Sequence, residues 1–279
     1  MHETAHIRGK LAALQRLGFE RVDASPVTTT AVRLNRRSYK VTQSRAAMGT
    51  VASVSVLASS EQKAEEAIGR AFDEMDRLIG IFSRYDSASA ITYLNEVGRI
   101  EGAPPEFLHV LSRSHAIHQL SQGAFDISVA PVVDLFKERM TALVPGEPPP
   151  AELREALDLV GAAHIHVTNT RVGFDRPGMA ITLDGIAKGY IVDAIASVLR
   201  RYKLDNYLID AGGDIRTSGT TEGRRPWTVA VQNPTKDGSY PDAIHLTNGA
   251  VATSGSYEIY FDRDRQVHHI VSATTGRSP

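Results

Sequence analysis

The chain of 279 residues contains no cysteine. That absence excludes disulfides, thiolate metal sites, a cysteine nucleophile and a lipid-modified N-terminal cysteine. No run of about 18 apolar residues occurs, so no transmembrane helix is expected. The N-terminus has no apolar core of the signal-peptide kind, and nothing apolar follows Arg36-Arg37 as a twin-arginine signal would require. Charge of one sign is also lacking: 31 Lys and Arg face 32 Asp and Glu, for a formal net charge of −1. A nucleic-acid partner is therefore not expected.

What is present is enough chain for one large domain or two modest lobes. Residues 1–46 read as a basic N-terminal extension, with Arg33, Arg36, Arg37 and Lys40 among its cations and a short amphipathic helix on Ile7, Leu11, Leu14 and Leu17. Order is expected from Ala47-Met48-Gly49-Thr50 onward. The alternation in Val51–Val56 predicts a strand, and the stripe Ala64, Ala67, Ile68, Ala71, Met75, Leu78, Ile79 predicts a helix over 61–82. Further helices are expected at 105–121, with Phe107, Leu108, Leu111, Ile117 and Leu120 inward, at 151–160 and at 185–202. Short strands are expected at 164–168 and 179–183, and a loop at 141–150. After Tyr202 the pattern turns to β, with strands at 207–209, 227–231, 243–246, 250–253, 258–261 and 267–271. Helices between early strands and crowded strands later predict an α+β fold, a mixed α/β arrangement with mainly antiparallel sheet.

Four segments carry candidate chemistry. Ile181–Tyr190 runs from an extended stretch through Asp184-Gly185 into a helix bearing Lys188, where unpaired N–H groups and a lysine suit a phosphate. Asp184 is equally a helix N-cap candidate. Asp210-Ala211-Gly212-Gly213-Asp214 lets backbone approach a ligand or another strand. Gly123-Ala124-Phe125-Asp126 follows a helix and reads as its C-cap with a buried Phe. Thr253–Tyr257 is a polar loop. The pairs His115/His118 and His164/His166 each lack a visible third ligand and read as ordinary histidines.

Taken in order, seven segments resemble the FAD:protein FMN transferase, or ApbE, family across about 48–279. They are Ala47–Thr50; Phe82–Ser87 with Ile91 and Leu94-Asn95; Gly123–Pro131; Leu183–Tyr190; Leu208–Asp214; Ala252–Glu258; and His268–Val271 with Thr275–Pro279. The resemblance implies a T-fold-like architecture with packed helices and FAD in a cleft. By position, Met48, Tyr85, Ala124, Phe125, Asp126, Thr182, Lys188, His269 and Ile270 would contact FAD. Gly185 would offer a carbonyl to Mg²⁺, His269 would be the catalytic base, and Asp184 is a second catalytic candidate beside the metal. The partner implied is an acceptor flavoprotein with a target Thr or Ser.

The chain departs from the family pattern in several places. Thr182 stands where the family often has Asp, Asp184 where it often has Gly, and Ser272-Ala273 replaces a common Asp-Pro. An Asp-Ala-x-x-Thr segment that completes the Mg²⁺ site in the family is not reached by Pro279. The transferase domain over 47–279 is therefore expected to be C-terminally incomplete, and an FAD-binding protein with impaired catalysis is the alternative expectation. The family often acts at or outside the inner membrane, whereas the absence of an export signal here favours the cytoplasm.

Overall fold

A computed structural model describes residues 27–279 except 145, 236, 257–259 and 263–265. The helix expected over Ile7–Leu17 lies outside the described residues. Among those described, the chain forms β1 (Thr28–Asn35), β2 (Ser38–Ala47), β3 (Thr50–Ala58), α1 (Glu61–Phe82), α2 (Ala90–Val97), β4 (Arg99–Glu101) and α3 (Pro105–Leu120). There follow α4 (Ala130–Thr141), α5 (Pro150–Leu157), β5 (Ile165–Val167), β6 (Arg171–Phe174) and α6 (Ala187–Arg201). The last elements are β7 (Tyr207–Ala211), β8 (Asp214–Ser218), β9 (Trp227–Val231), β10 (Asp242–Leu246) and β11 (Gly249–Ala252). All ladders are antiparallel, so the structure is α+β with antiparallel sheet, as the pattern predicted.

The described residues divide into two compact units: a sheet unit of residues 27–79 with Lys188–Gly255, and a helical unit of Gly80–Ala187 with Ser256–Pro279. In the sheet unit the strand order is β1-β2-β3-β7-β8-β11. Register aligns Gln43, Val54, Ile209 and Arg216 across four strands, hence on one face. Val54 and Ile209 there are fully buried. Arg45, two residues from Gln43, pairs with Asp76 and lies 4.8 Å from the centre of the Phe72 ring, so α1 covers this face. Arg216 pairs with Asp193, which brings α6 to the same face. The expected stripe of α1 is buried at Ala64, Ala67, Ile68, Ala71, Met75 and Leu78. On the opposite face hydroxyls pair across β2 and β3, Thr42 with Ser55 at 2.8 Å and Ser44 with Ser53 at 3.0 Å. The β9–β10 ribbon is tied to the sheet by the Trp227 indole N–H, which donates to the Ser218 carbonyl at 3.0 Å.

The sheet starts earlier than the sequence pattern predicted: residues 28–46 form β1 and β2 rather than an extension. The core-facing side of β2 carries Gln43 and Arg45 beside Val41, and β1 is exposed at nearly every position. Neither strand therefore shows the apolar alternation that identified β3.

In the helical unit, α2 is capped at both ends. The Ser89 hydroxyl accepts from the Thr92 N–H at 3.1 Å, and Gly98 at φ 77° donates to the Leu94 carbonyl. A local core forms where Phe136 stacks on Phe261 with ring centres 5.1 Å apart, among Val132, Leu153, Ala156 and Val267. Three expectations are corrected. Leu120, expected to face inward, is the last residue of α3 and is 84% exposed. Residues 179–183 join no ladder among the described residues. Among the described residues of 258–271, only an isolated Tyr260–His268 bridge stands where strands were expected. The short elements α2, β4 and β6, together with α4 and β8, were not anticipated.

Candidate functional site

The helical unit assembles two of the motifs. After α3, Gln122 and Gly123 take positive φ (54° and 86°) and turn the chain back, with the Gly123 N–H donating to the His118 carbonyl at 2.9 Å. The Phe125 N–H donates to the Ser121 hydroxyl, and the His118 ring Nδ1 bonds the Phe125 carbonyl, both at 3.0 Å. Phe125 is half-buried and Ala124 exposed, so this segment is presented rather than sunk in the core as the sequence suggested. Asp126 is buried beneath it. Its Oδ1 accepts from the Ser128 N–H at 2.8 Å and the Ser128 hydroxyl at 2.5 Å, and its Oδ2 accepts from the Ala162 N–H at 3.1 Å. His118 stands 3.4 Å from the same Oδ2. A carboxylate accepting several N–H and O–H bonds is an N-cap that also fixes the turn above it.

The second motif is fastened to the first. The Thr182 N–H donates to the Ile127 carbonyl at 2.8 Å. At Gly185 a Cβ would lie 3.3 Å from Phe125 Cε2, so a side chain there would crowd the Phe ring. The turn at 183–187 is closed by the Leu183 carbonyl, which accepts from Ile186 N–H at 3.0 Å and Ala187 N–H at 2.8 Å. Helix α6 thus starts at Ala187, three residues past Asp184, which is exposed and is not its N-cap. The Asp184 N–H is held by the Thr182 hydroxyl at 3.3 Å.

Tyr85 is exposed on the loop after α1, while its neighbour Arg84 pairs with Asp134 on α4. His269 and Ile270 are half-buried. His268 beside them is buried, and its backbone is clamped by Ser278, whose hydroxyl accepts from the His268 N–H at 2.8 Å and donates to its carbonyl at 2.9 Å.

In the sheet unit, Met48 and Gly49 form the two-residue turn between β2 and β3, both at positive φ (54° and 74°). That is the geometry of a tight hairpin turn. Glycine meets it freely, but a methionine there is held in a sparsely populated conformation of the kind that gathers at functional sites. Lys188, in the first turn of α6, acts on Asp214 at the start of β8. Burial lifts the Asp214 carboxyl above the ordinary range; attraction to Lys188 opposes the rise and repulsion from Asp210 adds to it. Gly212, at φ 68°, is required by close approach as well, since a Cβ would come within 2.4 Å of the Thr50 hydroxyl oxygen.

The paired histidines His164 and His166 share Asp175, at 3.3 Å and 2.5 Å, a partner the sequence reading missed. These bonds, foremost that from His166, hold the Asp175 carboxyl below its usual range. Among the described residues no group of three or more His, Asp or Glu is arranged to hold a metal ion. Mg²⁺ takes about six oxygen ligands. The Gly185 carbonyl and the exposed Asp184 carboxylate do not by themselves make such a site.

Comparison with known proteins gives the family. The ApbE family model matches residues 48–279, and the chain belongs to the ApbE family. Among similar proteins is the FAD:protein FMN transferase of Vibrio cholerae, 31% identical over 212 residues, covering 73% of this chain and 64% of that one. The FAD:protein FMN transferase of Haemophilus influenzae is 28% identical over 229 residues, covering 80% of this chain and 66% of its own length. This chain thus spans just under two thirds of either relative. The solved ApbE protein of Thermotoga maritima superposes with a TM-score of 0.75 at 29% identity, over 90% of this chain and 78% of that one. Among the described residues no helix is long and apolar enough to cross a membrane.

Proposed function

We propose that the chain cleaves FAD and transfers its FMN half to a Thr or Ser of an acceptor flavoprotein, releasing AMP. The observation that carries this reading is the fastening of Ala124–Asp126 to Thr182–Gly185 through the Thr182–Ile127 bond and the Phe125–Gly185 contact. The family resemblance assigns Ala124, Phe125, Asp126 and Thr182 of these segments to FAD and Gly185 to Mg²⁺, and the relatives named FAD:protein FMN transferase support the overall reading.

Under this proposal Met48, Tyr85, Ala124, Phe125, Thr182 and Ile270 contact FAD, and Asp126 supports the turn that presents Phe125. Lys188 neutralises pyrophosphate charge, which otherwise repels an incoming hydroxyl oxygen. The acceptor hydroxyl oxygen attacks the phosphorus on the FMN side, and the bond from that phosphorus to the bridging oxygen breaks. AMP leaves with the bridging oxygen, and His269 takes the hydroxyl proton. The new bond is a phosphoester. Asp184 and the Gly185 carbonyl are the groups proposed to face Mg²⁺; the described residues alone do not complete its coordination, and the transfer described uses the chain's own groups.

Incubation with FAD, Mg²⁺ and a flavoprotein acceptor tests the proposal. AMP release matched by FMN attached to the acceptor is the expected result. AMP and free FMN in the absence of acceptor would make the chain a hydrolase, and FAD binding without AMP release would make it a flavin-binding protein.

A further inference from the structure

We propose that Asp134 and Lys137 on α4 are positioning residues that hold Arg84 and Tyr85 so that the Tyr85 ring forms a stacking platform for a flat heteroaromatic ring of the donor. The inference deepens the functional reading above and rests on it.

Asp134 and Lys137 are one turn apart and so share a face of α4. The opposite side of that helix is anchored by buried Val132 and Phe136. The base of the clamp is therefore core, not loop. Arg84 Nη2 lies 2.5 Å from both carboxylate oxygens of Asp134, and the Arg84 side chain is only 13% exposed. That pair fixes the backbone immediately before Tyr85. Lys137 Nζ donates to the Tyr85 hydroxyl at 3.1 Å and stands 5.4 Å from the ring centre. Together the two distances put the ammonium off the hydroxyl end of the ring, not above its face. The ring is thus held at both ends while its faces stay clear of the ammonium, and Tyr85 is 61% exposed.

An aromatic ring this exposed is normally free to change rotamer, and ordering it on binding costs affinity. Tethering both ends beforehand removes part of that cost. An open hollow lined by Asp134, Lys137, Glu138, Thr141 and Ala142 lies along the same helix face. Aromatic side chains stack on flat π-systems in offset geometry. A dinucleotide carrying an isoalloxazine and an adenine offers two such rings.

The test combines two measurements on the whole chain. The first is the linewidth of the Tyr85 ring in ring-labelled, ligand-free protein, which reports the tether without any flavin. Lys137→Met should loosen the ring and Lys137→Arg should restore it, with melting temperature as the folding control. The second is titration of FAD, riboflavin and AMP in a double-mutant cycle. Lys137→Met should weaken FAD by about 3- to 10-fold, the range of one lost hydrogen bond, and should do nothing further in a Tyr85→Ala background. Riboflavin or AMP, whichever loses affinity in parallel with FAD, identifies the stacked ring. Equal weakening with and without the Tyr85 ring would make Lys137 a direct charge contact and overturn the proposal, as would an unchanged linewidth. A loosened ring in a protein that binds none of the three would sink the functional reading and the platform's role, leaving only the tether.

Discussion

Asn95 uses its side chain as a strand would use its backbone: it donates to the Ile181 carbonyl at 3.0 Å and accepts from the Ile181 N–H at 2.8 Å. Both polar groups of a fully buried residue are met by one amide from α2, so Ile181 needs no ladder partner. Asn95→Ala should leave both groups unsatisfied and lower stability by roughly 2–4 kcal/mol. Asn95→Asp keeps the acceptor, but its ionised second oxygen would face the Ile181 carbonyl, so it should lose less than the alanine variant only at acid pH, where the protonated carboxyl can donate. Urea denaturation curves of the three proteins decide it; a loss below about 0.5 kcal/mol for the alanine variant would mean water replaces the amide.

Two glycines should respond oppositely to alanine. Gly212 has positive φ and the Thr50 side chain in the space of a Cβ, so Gly212→Ala should cost roughly 2–4 kcal/mol. Gly80 sits exposed in α1 with nothing within 4 Å of an added Cβ. There Gly80→Ala should stabilise by about 0.5–1 kcal/mol through helix propensity. Melting temperatures that moved in the same direction would contradict the close approach at Gly212.

Asp214 gives stability a defined pH slope. Because its native carboxyl is raised above its ordinary value of 3.8, the folded state holds that proton more tightly than the unfolded chain does. Its contribution is fully present below the ordinary value and is lost as pH rises through the raised native value. Asp214→Asn cannot ionise and should escape that loss. The stability difference between the variant and the parent protein should therefore shift in favour of the variant from about pH 4 to about pH 7. A shift in favour of the parent would show that the Lys188 attraction outweighs burial.

The adjacent histidines should separate by phenotype. His269→Ala should slow transfer by roughly 10²–10⁴-fold with FAD affinity nearly unchanged, as removal of a general base does. His268 is buried, and its Nδ1 has no hydrogen-bond partner among the described residues. His268→Ala should instead lower the melting temperature, because it opens space in a packed site. Activity and melting curves on both variants give the answer, and a rate loss at His269 matched by lost FAD binding would make it a ligand contact.

Helix α1 was legible to the residue because its apolar stripe repeats at helical spacing, and β9 was legible because Trp227 and Val229 face inward on either side of an exposed Thr228. Strand β1 was not, since an edge strand exposed along its length carries no burial signal. Helix α4 was hidden because Ala130-Pro131 reads as a break, although proline suits the first turn of a helix. The motif segments were found by family order, but what holds them was not. Asn95, His118, Ser128 and Asp134 act through partners between 2 and 86 positions away, and single-sequence spacing carries no trace of the longer of these pairings.

The sheet order also sets a timetable for synthesis. Strand β3 ends at Ala58, yet the strand that covers its free edge begins at Tyr207. At roughly 5–20 residues per second on the ribosome, that edge waits on the order of 10 s or more for its partner. Throughout that interval a finished β1–β2–β3 meander presents open N–H and C=O groups to any other nascent chain. The chain's greatest exposure to mispairing thus falls during translation, before Tyr207–Ala211 has emerged to close that edge.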